Sequence, residues 1–299
     1  DFIIEEPSTP FFITDLITDE ALTYMTNKIN TNTPFLAFMS YTAPHGPYTA
    51  KTADYNYFHT NHPSLTDNNK NYYGLLRNVD VNIKKIVDLL KANSEYDNTL
   101  FVFLSDNGGV IKKAGNNGVL RGEKGSTWEG GLRVPFFVTW KNEVPVGGVY
   151  NNQVTSLDLA TTFIKAAGGN LSDNEYFDLE GGDLVFASKN TTSILHPKLY
   201  WRKGFGGGAV SDGTNKLRFT QIASLGSLGT STPQMYDLDA DISETTNIYA
   251  SNTATATPLI TDWNNWRGTL DLPSYIPGDL VVDLCGPGVL INNCAFLTN

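Results

Sequence analysis

Cysteine is nearly absent: 299 residues hold two, Cys285 and Cys294, close together in a C-terminal stretch rich in Gly, Pro and Asn. Two cysteines are too few for a disulfide-framed domain; a single terminal loop closed by Cys285–Cys294 is the expectation, with two free thiols as the alternative. Long apolar runs are missing as well. No stretch approaches the roughly 18 consecutive apolar residues that a membrane-spanning helix requires. Nor does a charged segment followed by an apolar one open the chain, so no leader pattern is visible. Positive charge is scarce, with 21 Lys and Arg against 31 Asp and Glu, a net charge of −10 and a pI near 4.8. That balance argues against a broad electrostatic footprint for nucleic acid or anionic membranes. An anionic substrate would need local cations that overcome the global field.

What is present is ordinary globular material, 40% hydrophobic and 17% charged, in a chain long enough for one large or two modest domains. Ile17, Ala21, Leu22, Met25 and Ile29 recur at helical spacing, with Thr18, Asp19 and Glu20 as the expected helix start. Phe35 to Ser40 is short, apolar and continuous, and predicts a strand buried on both faces. Tyr72, Leu76, Val79, Ile83, Ile86 and Leu90 form one stripe and predict a long helix. Thr99 to Leu104 repeats the buried-strand pattern, Val134 to Trp140 is a third such run, and Ser156 to Ala167 predicts a helix. Strand, helix, strand in this order predicts a right-handed crossover and a parallel sheet. From Lys198 the texture changes to short runs, Leu199 to Arg202, Ala209 to Ser211, Lys216 to Phe219 and Gln234 to Asp237. These predict an antiparallel meander, closed by a helix bearing Trp263, Trp266 and Leu270.

Functional residues of parallel sheets gather beyond the carboxyl ends of strands. Asp106 and Asn107 sit there, followed by two glycines, and offer hard oxygen ligands suited to Ca²⁺ or Mg²⁺; a plain turn is the alternative. His45 follows Pro44 beyond another predicted strand, where an imidazole can bind an anion or assist a leaving group. His59, His62 and His196 are read as surface or loop residues. Arg121, Glu123 and Lys124 lie in a glycine-rich loop that can bring guanidinium and ammonium groups to an oxyanion. Asn170 and Asn190 open N-x-Ser/Thr triplets and are candidate glycosylation sites in a secreted protein.

Together and in order these segments resemble the sulfatase family of the alkaline-phosphatase-like superfamily. The block "TLFVFLSDNGG" followed by "LRGEKGSTWEGGLRVPFFVTW" carries most of the resemblance. Upstream, "TDLITDEALTYM", "PFLAFMSYTAPHGPY" and "YYGLLRNVDVNIKKIVDLL" are similar to family helices and strands. Downstream, "SLDLATTFIKAAGG", "LYWRKG" and "MYDLDADISETTNIY" are similar to the family's closing elements. The resemblance implies an α/β fold with a mostly parallel sheet flanked by helices and a C-terminal antiparallel α+β subdomain. It further implies Ca²⁺ ligands at Asp106 and Asn107, with Mg²⁺ as the alternative ion. His45 and Lys124 become the catalytic and substrate-binding residues, and Arg121 a neighbouring substrate-site arginine.

In this family a formylglycine hydrate attacks sulfur while cations neutralise the charge that develops as the alcohol leaves. The family's early aspartate ligands, its Cys/Ser-x-Pro-x-Arg motif and its Lys-x-His pair do not appear in these residues. The expectation is therefore a sulfatase active on a sulfated carbohydrate or aryl ester once completed by an N-terminal companion segment or chain, and inactive alone. A phosphonate or phosphate ester hydrolase, or a non-catalytic binding relative, are the alternatives. The expected domains are residues 1–195 as part of the catalytic domain, 196–275 as the small subdomain and 276–299 as an extension. The expected location is secreted, extracellular or periplasmic.

Overall fold

The computed structural model describes residues 12–172, 178–203, 207–220 and 233–270. They divide into two compact units. One comprises residues up to Val102 with Val110–Asn116 and Val138–Pro145, and the other Phe103–Gly109, Asn117–Phe137 and the chain from Val146 onward.

Three helices dominate the first unit: α1 (Ile13–Asn30), α2 (Thr52–Asn61) and α3 (Asp67–Ala92). The first begins earlier than Thr18, which lies inside it. The Thr18 hydroxyl returns a bond to the Thr14 carbonyl at 2.7 Å and meets the Tyr41 hydroxyl at 2.7 Å. The third is capped at its start by the Thr66 side chain, which accepts from the Asn69 N–H, satisfying one of the donors a helix leaves unpaired there. Met25, Ile86 and Leu90 bury against Phe35, Ala37 and Met39. The same helical stripe also carries Asn78 and Asn82, both buried. Their amides donate to the Asp15 carboxylate at 3.1 and 2.8 Å, so this buried polar contact is paired on its donor side.

Residues 35–40 form no ladder with any of the described residues, in contrast to the buried strand expected there. Alternation explains the difference. Phe35, Ala37 and Met39 face the helices, whereas Leu36 and Phe38 are 63% and 76% exposed. A run that looks continuous in sequence is thus buried on one face only.

Strands β1 (Phe101–Leu104) and β2 (Phe136–Thr139) form a two-stranded sheet and are separated in sequence by the short helix α4 (Glu129–Leu132). Next come α5 (Asp158–Ala166) and α6 (Leu184–Lys189). Asp183 caps the latter by accepting from the N–H groups of Val185 and Phe186 at 3.0 and 3.1 Å.

The predicted meander is present as β3 (Leu199–Lys203), β4 (Gly207–Ser211), β5 (Asn215–Phe219) and β6 (Gln234–Asp237), hydrogen-bonded in that order and antiparallel throughout. Register places Val210 opposite Leu217 and Leu217 opposite Met235. Helix α7 (Thr253–Gly268) closes this sheet with Ala256, Leu259 and Trp263. Full burial of side chains the size of Leu259 contributes roughly 1.5–3 kcal/mol each. The Trp263 ring stacks on Phe219 at 4.1 Å between centroids. It also approaches the backbone so closely that a Cβ at Gly208 would lie 2.7 Å from its Cζ2 atom. No described helix is long and apolar enough to cross a membrane.

Candidate active site

The Ser105–Gly109 turn leaves β1 and packs on the glycine-rich loop of the same unit. Gly108 N–H donates to the Gly131 carbonyl at 3.2 Å, and a Cβ at Gly108 would lie 1.7 Å from the Gly130 carbonyl oxygen. No side chain fits that gap, so glycine is required by space rather than by backbone angle. Asn117 fastens the arrangement. Its Oδ1 accepts from Gly109 N–H at 2.8 Å, and its Nδ2 donates to the Gly109 and Gly122 carbonyls, each at 2.9 Å.

Asp106 and Asn107 lie in this turn, and Arg121 and Lys124 lie in the glycine-rich loop that it packs on. The Asp106 side chain is exposed. Asn107 Nδ2 donates to the Gly108 carbonyl at 3.0 Å, which leaves its Oδ1 as the ligand-type atom. Lys124 is exposed between Gly122 and Gly125, whose φ angles of +85° and +79° bend the loop on either side, a conformation glycine adopts without strain. Arg121 is engaged differently from a free substrate cation. Its Nη1 donates to the Glu244 carbonyl at 2.7 Å, and its guanidinium lies 3.8 Å from the Trp128 ring centroid.

A metal ion at Asp106 and Asn107 would meet two hard oxygen donors of the right chemistry. Ca²⁺ takes about six to eight oxygens, and among the described residues no group of three or more His, Cys, Asp or Glu side chains converges. The donor types fit, and the number leaves the shell open.

His45 belongs to the other unit and sits in an exposed loop. Its Nδ1 lies 2.9 Å from the Gly46 carbonyl; a carbonyl only accepts, so Nδ1 carries the proton and Nε2 is left for a ligand. The loop is steadied by Tyr48, whose ring meets Tyr72 of α3 edge-on at 5.5 Å. His59 and His62 are exposed or nearly so, as expected. His196 is not a surface residue: only 10% of its side chain is exposed, and its Nε2 lies 2.6 Å from Asp158 Oδ1, itself fully buried. Asp158 also accepts from the N–H groups of Thr155 and Gly182, so the pair ties α5 to the segment before β3. Asn170 and Asn190 are exposed. Cys285 and Cys294 lie outside the described residues.

Sequence reasoning passes over a charged cluster beneath the Lys124 loop. Lys216 of β5 is fully buried, with Nζ 2.7 Å from Glu129 Oε1 and 3.1 Å from Glu244 Oε1. The Glu244 Oε2 atom accepts from the Glu129 N–H at 2.6 Å. Burial raises the Glu244 carboxyl above the ordinary range, opposed by Lys216. On the other face of Trp128 lies Arg218, 3.3 Å from the ring centroid, with burial lowering its affinity for its proton. Arg218 Nε donates to Thr127 Oγ1 at 3.1 Å and its Nη1 to Gln234 Oε1 at 2.9 Å. The signal available in sequence is an alternation, Lys216 and Arg218 flanking Leu217 in a strand, which reads as a solvated face.

Residues 5–169 match the model of the sulfatase family. Over 192 residues the chain is 35% identical to an uncharacterized sulfatase of Escherichia coli K12, covering 64% of this chain and 33% of that one. Identity to the N-acetylgalactosamine-6-sulfatase of Sus scrofa is 29%, covering 64% of this chain and 35% of that one. The crystal structure of Ps i-CgsB in complex with k-i-k-neocarrahexaose superposes with a TM-score of 0.80 at 32% identity, over 91% of this chain and 58% of that one. A phosphonate monoester hydrolase from Silicibacter pomeroyi shares the fold, at a TM-score of 0.60 and 16% identity, over 86% of this chain and 59% of that one. The fold is thus the α/β, alkaline-phosphatase-like one, with the antiparallel sheet of β3 to β6 as its C-terminal part. The chain belongs to the sulfatase family. It spans about a third of the length of the curated relatives it matches.

Proposed function

We propose that this chain is the substrate-side part of a sulfatase, a hydrolase of sulfuric esters, that acts on a sulfated carbohydrate or an aryl sulfate. The observation that supports the reading is the close approach of Gly108, which follows Asp106 and Asn107, to Gly130, at the end of the glycine-rich loop bearing an exposed Lys124. An acidic protein that presents a lysine between two left-handed glycines, next to hard oxygen donors, has the local charge an anionic ester needs. The likeness to Ps i-CgsB, solved in complex with k-i-k-neocarrahexaose, favours a glycan over a small aryl ester.

Lys124 is assigned to a sulfate oxygen, where its ammonium offsets negative charge. His45, with Nδ1–H held by Gly46, is assigned to the ester oxygen that leaves; in its doubly protonated form Nε2–H is the proton to be transferred. Arg121 is kept as a neighbouring substrate-site cation whose guanidinium also fixes the loop. Asp106 and Asn107 would provide two donors to Ca²⁺, or to Mg²⁺. Formylglycine supplies the nucleophile in this family and the metal ion supplies charge neutralisation; the Cys/Ser-x-Pro-x-Arg motif and the early aspartates that serve them do not occur among residues 1–299. The exposed apolar side chains Leu36 and Phe38 in one unit, and Phe103 and Phe137 in the other, favour coverage by a companion segment, since such surface rarely stays open to water. Exposed Asn170 and Asn190 suit glycosylation in a secreted, extracellular or periplasmic protein.

The test is release of inorganic sulfate by the full-length protein from a panel of sulfated glycans and aryl sulfates, with phosphonate and phosphate esters alongside. Sulfate release that falls roughly a hundredfold in Lys124→Ala supports the assignment, that being the scale for loss of one charge-stabilising donor. Turnover of phosphonates with none of sulfates would select the other hydrolase reading. No turnover at all would select a binding role. Mass spectrometry of the native protein shows whether a companion peptide and formylglycine are present.

A further inference from the structure

We infer that the buried cluster of Glu129, Lys216 and Glu244 is a positioning device that holds the Lys124 loop in its working shape. The inference rests on the assignment of Lys124 to the substrate. Besides Asn117 and the glycine contacts at Gly108, the loop is gripped from the C-terminal sheet and the turn after it. Glu244 is the hub: its carboxylate takes the Glu129 N–H, its other oxygen faces Lys216, and its carbonyl takes the Arg121 guanidinium. One residue therefore binds the loop both before and after Lys124. It does so from a left-handed backbone, φ +51°, which a glutamate adopts only when its surroundings enforce it.

Lys216 completes the hub from below, and Arg218 presses Trp128 against Arg121 from the opposite face. At the tip, Lys203 of β3 donates to the Gly125 carbonyl, the residue adjoining Lys124. No member of this set is needed to fill an apolar core. Val210, Leu217, Phe219 and Met235 do that on the face covered by α7. A charged cluster with no solvent around it is an expensive way to hold a sheet together. Its geometry serves the loop, where a displacement near 1 Å can cost about a hundredfold in rate.

Glu244→Ala and Glu244→Gln in the full-length protein test this, with two readouts: turnover of para-nitrophenyl sulfate, and the rate of tryptic cleavage after Lys124 followed by mass spectrometry. Glu244→Ala is expected to speed cleavage and lower kcat, each roughly tenfold or more by analogy with other positioning losses. Glu244→Gln keeps an acceptor for the Glu129 N–H and should restore much of both, leaving cleavage between wild type and Glu244→Ala. In a Lys124→Ala background, adding Glu244→Ala should change kcat little further, because the effect runs through the absent lysine. An unchanged cleavage rate in a folded Glu244→Ala protein overturns the inference, as does full additivity with Lys124→Ala. If Glu244→Ala does not fold, Glu244→Gln decides alone, with modestly faster cleavage expected and wild-type cleavage overturning it. If Lys124→Ala leaves turnover intact, the assignment of Lys124 fails, while cleavage still reports whether the cluster holds the loop.

Discussion

The loops carrying Lys124 and His45 are built on opposite principles. The first is held from several sides. Glycine contacts at 108, 130 and 131 allow no side chain, Asn117 ties both flanks, and buried charge lies beneath. The second is held mostly by bonds within itself, from His45 N–H to the Thr42 carbonyl, from His45 Nδ1 to the Gly46 carbonyl and from Thr49 N–H to the Pro47 carbonyl, with an edge-on contact of Tyr48 on Tyr72 of α3. The lysine proposed to bind substrate thus sits on a loop that is determined several times over, and would be set before substrate arrives. A histidine on a lightly held loop has freedom that must be removed by substrate or by further protein. The contrast teaches that damage near Lys124 should appear first as lost stability, and damage at His45 as lost function with little change in stability.

The largest effect is expected from Lys216→Met. It removes the shared partner of two buried carboxylates, leaving Glu129 with the longer Arg133 contact at 3.8 Å and Glu244 with the Glu129 N–H. Breaking a buried pair on one side costs roughly 3–5 kcal/mol, to be read from the urea midpoint of the full-length protein. A loss below about 1 kcal/mol, the range of an exposed pair, would mean the cluster is more hydrated than its burial indicates, and the contrast between the loops would weaken. His45→Ala should do the reverse. Its side chain is exposed and bonded to the adjoining residue, so the stability change should stay within about 0.5 kcal/mol. Turnover should fall by roughly 10²–10⁴, the usual contribution of a positioned acid. An unchanged kcat would remove His45 from the site.

Much of this architecture is legible in the sequence. The stripe ending at Leu90, the runs around Phe101 and Phe136, and all four short strands can be placed within a few residues, because each has a clear period or clear turn chemistry. Asp106, Asn107 and Lys124 stand out through glycine neighbours that imply sharp bends. The misses share a cause: they depend on partners distant in sequence. Glu129 and Glu244 are separated by 115 residues, and neither looks unusual locally. Asn78 and Asn82 fall on a stripe that reads as apolar until Asp15 is placed opposite them. His196 reads as a loop residue because Asp158 is 38 residues away. The run at Phe35 reads as buried on both sides since composition cannot say which face has a neighbour. Helices α2 and α6 carry weak apolar periods, and only the Asp183 cap hints at the latter.

The smallest expected effect separates two carboxylates three residues apart in the turn after β6. Glu244 is buried and its proton affinity is raised by desolvation. Asp241 is lightly covered and its affinity is lowered, chiefly by the Thr246 N–H, with Thr245 adding its hydroxyl and N–H. The signs are opposite. A carboxyl with a depressed native pKa stabilises the fold above its unfolded value, about 3.9 for Asp, and that contribution is lost as pH falls through the native value. For Glu244 the contribution is present below about 4.3 and is lost as pH rises through the raised native value. Asp241→Asn should therefore be slightly less stable than wild type at neutral pH, with the gap closing as pH drops below about 4. Glu244→Gln should show a difference from wild type that changes above about pH 4, where the carboxyl of the unfolded chain begins to ionise while the native one keeps its proton. Denaturation midpoints across roughly pH 2.5 to 7, which brackets both carboxyls, measure the two, and parallel pH curves for the two variants would mean that Glu244 is not held apart from water.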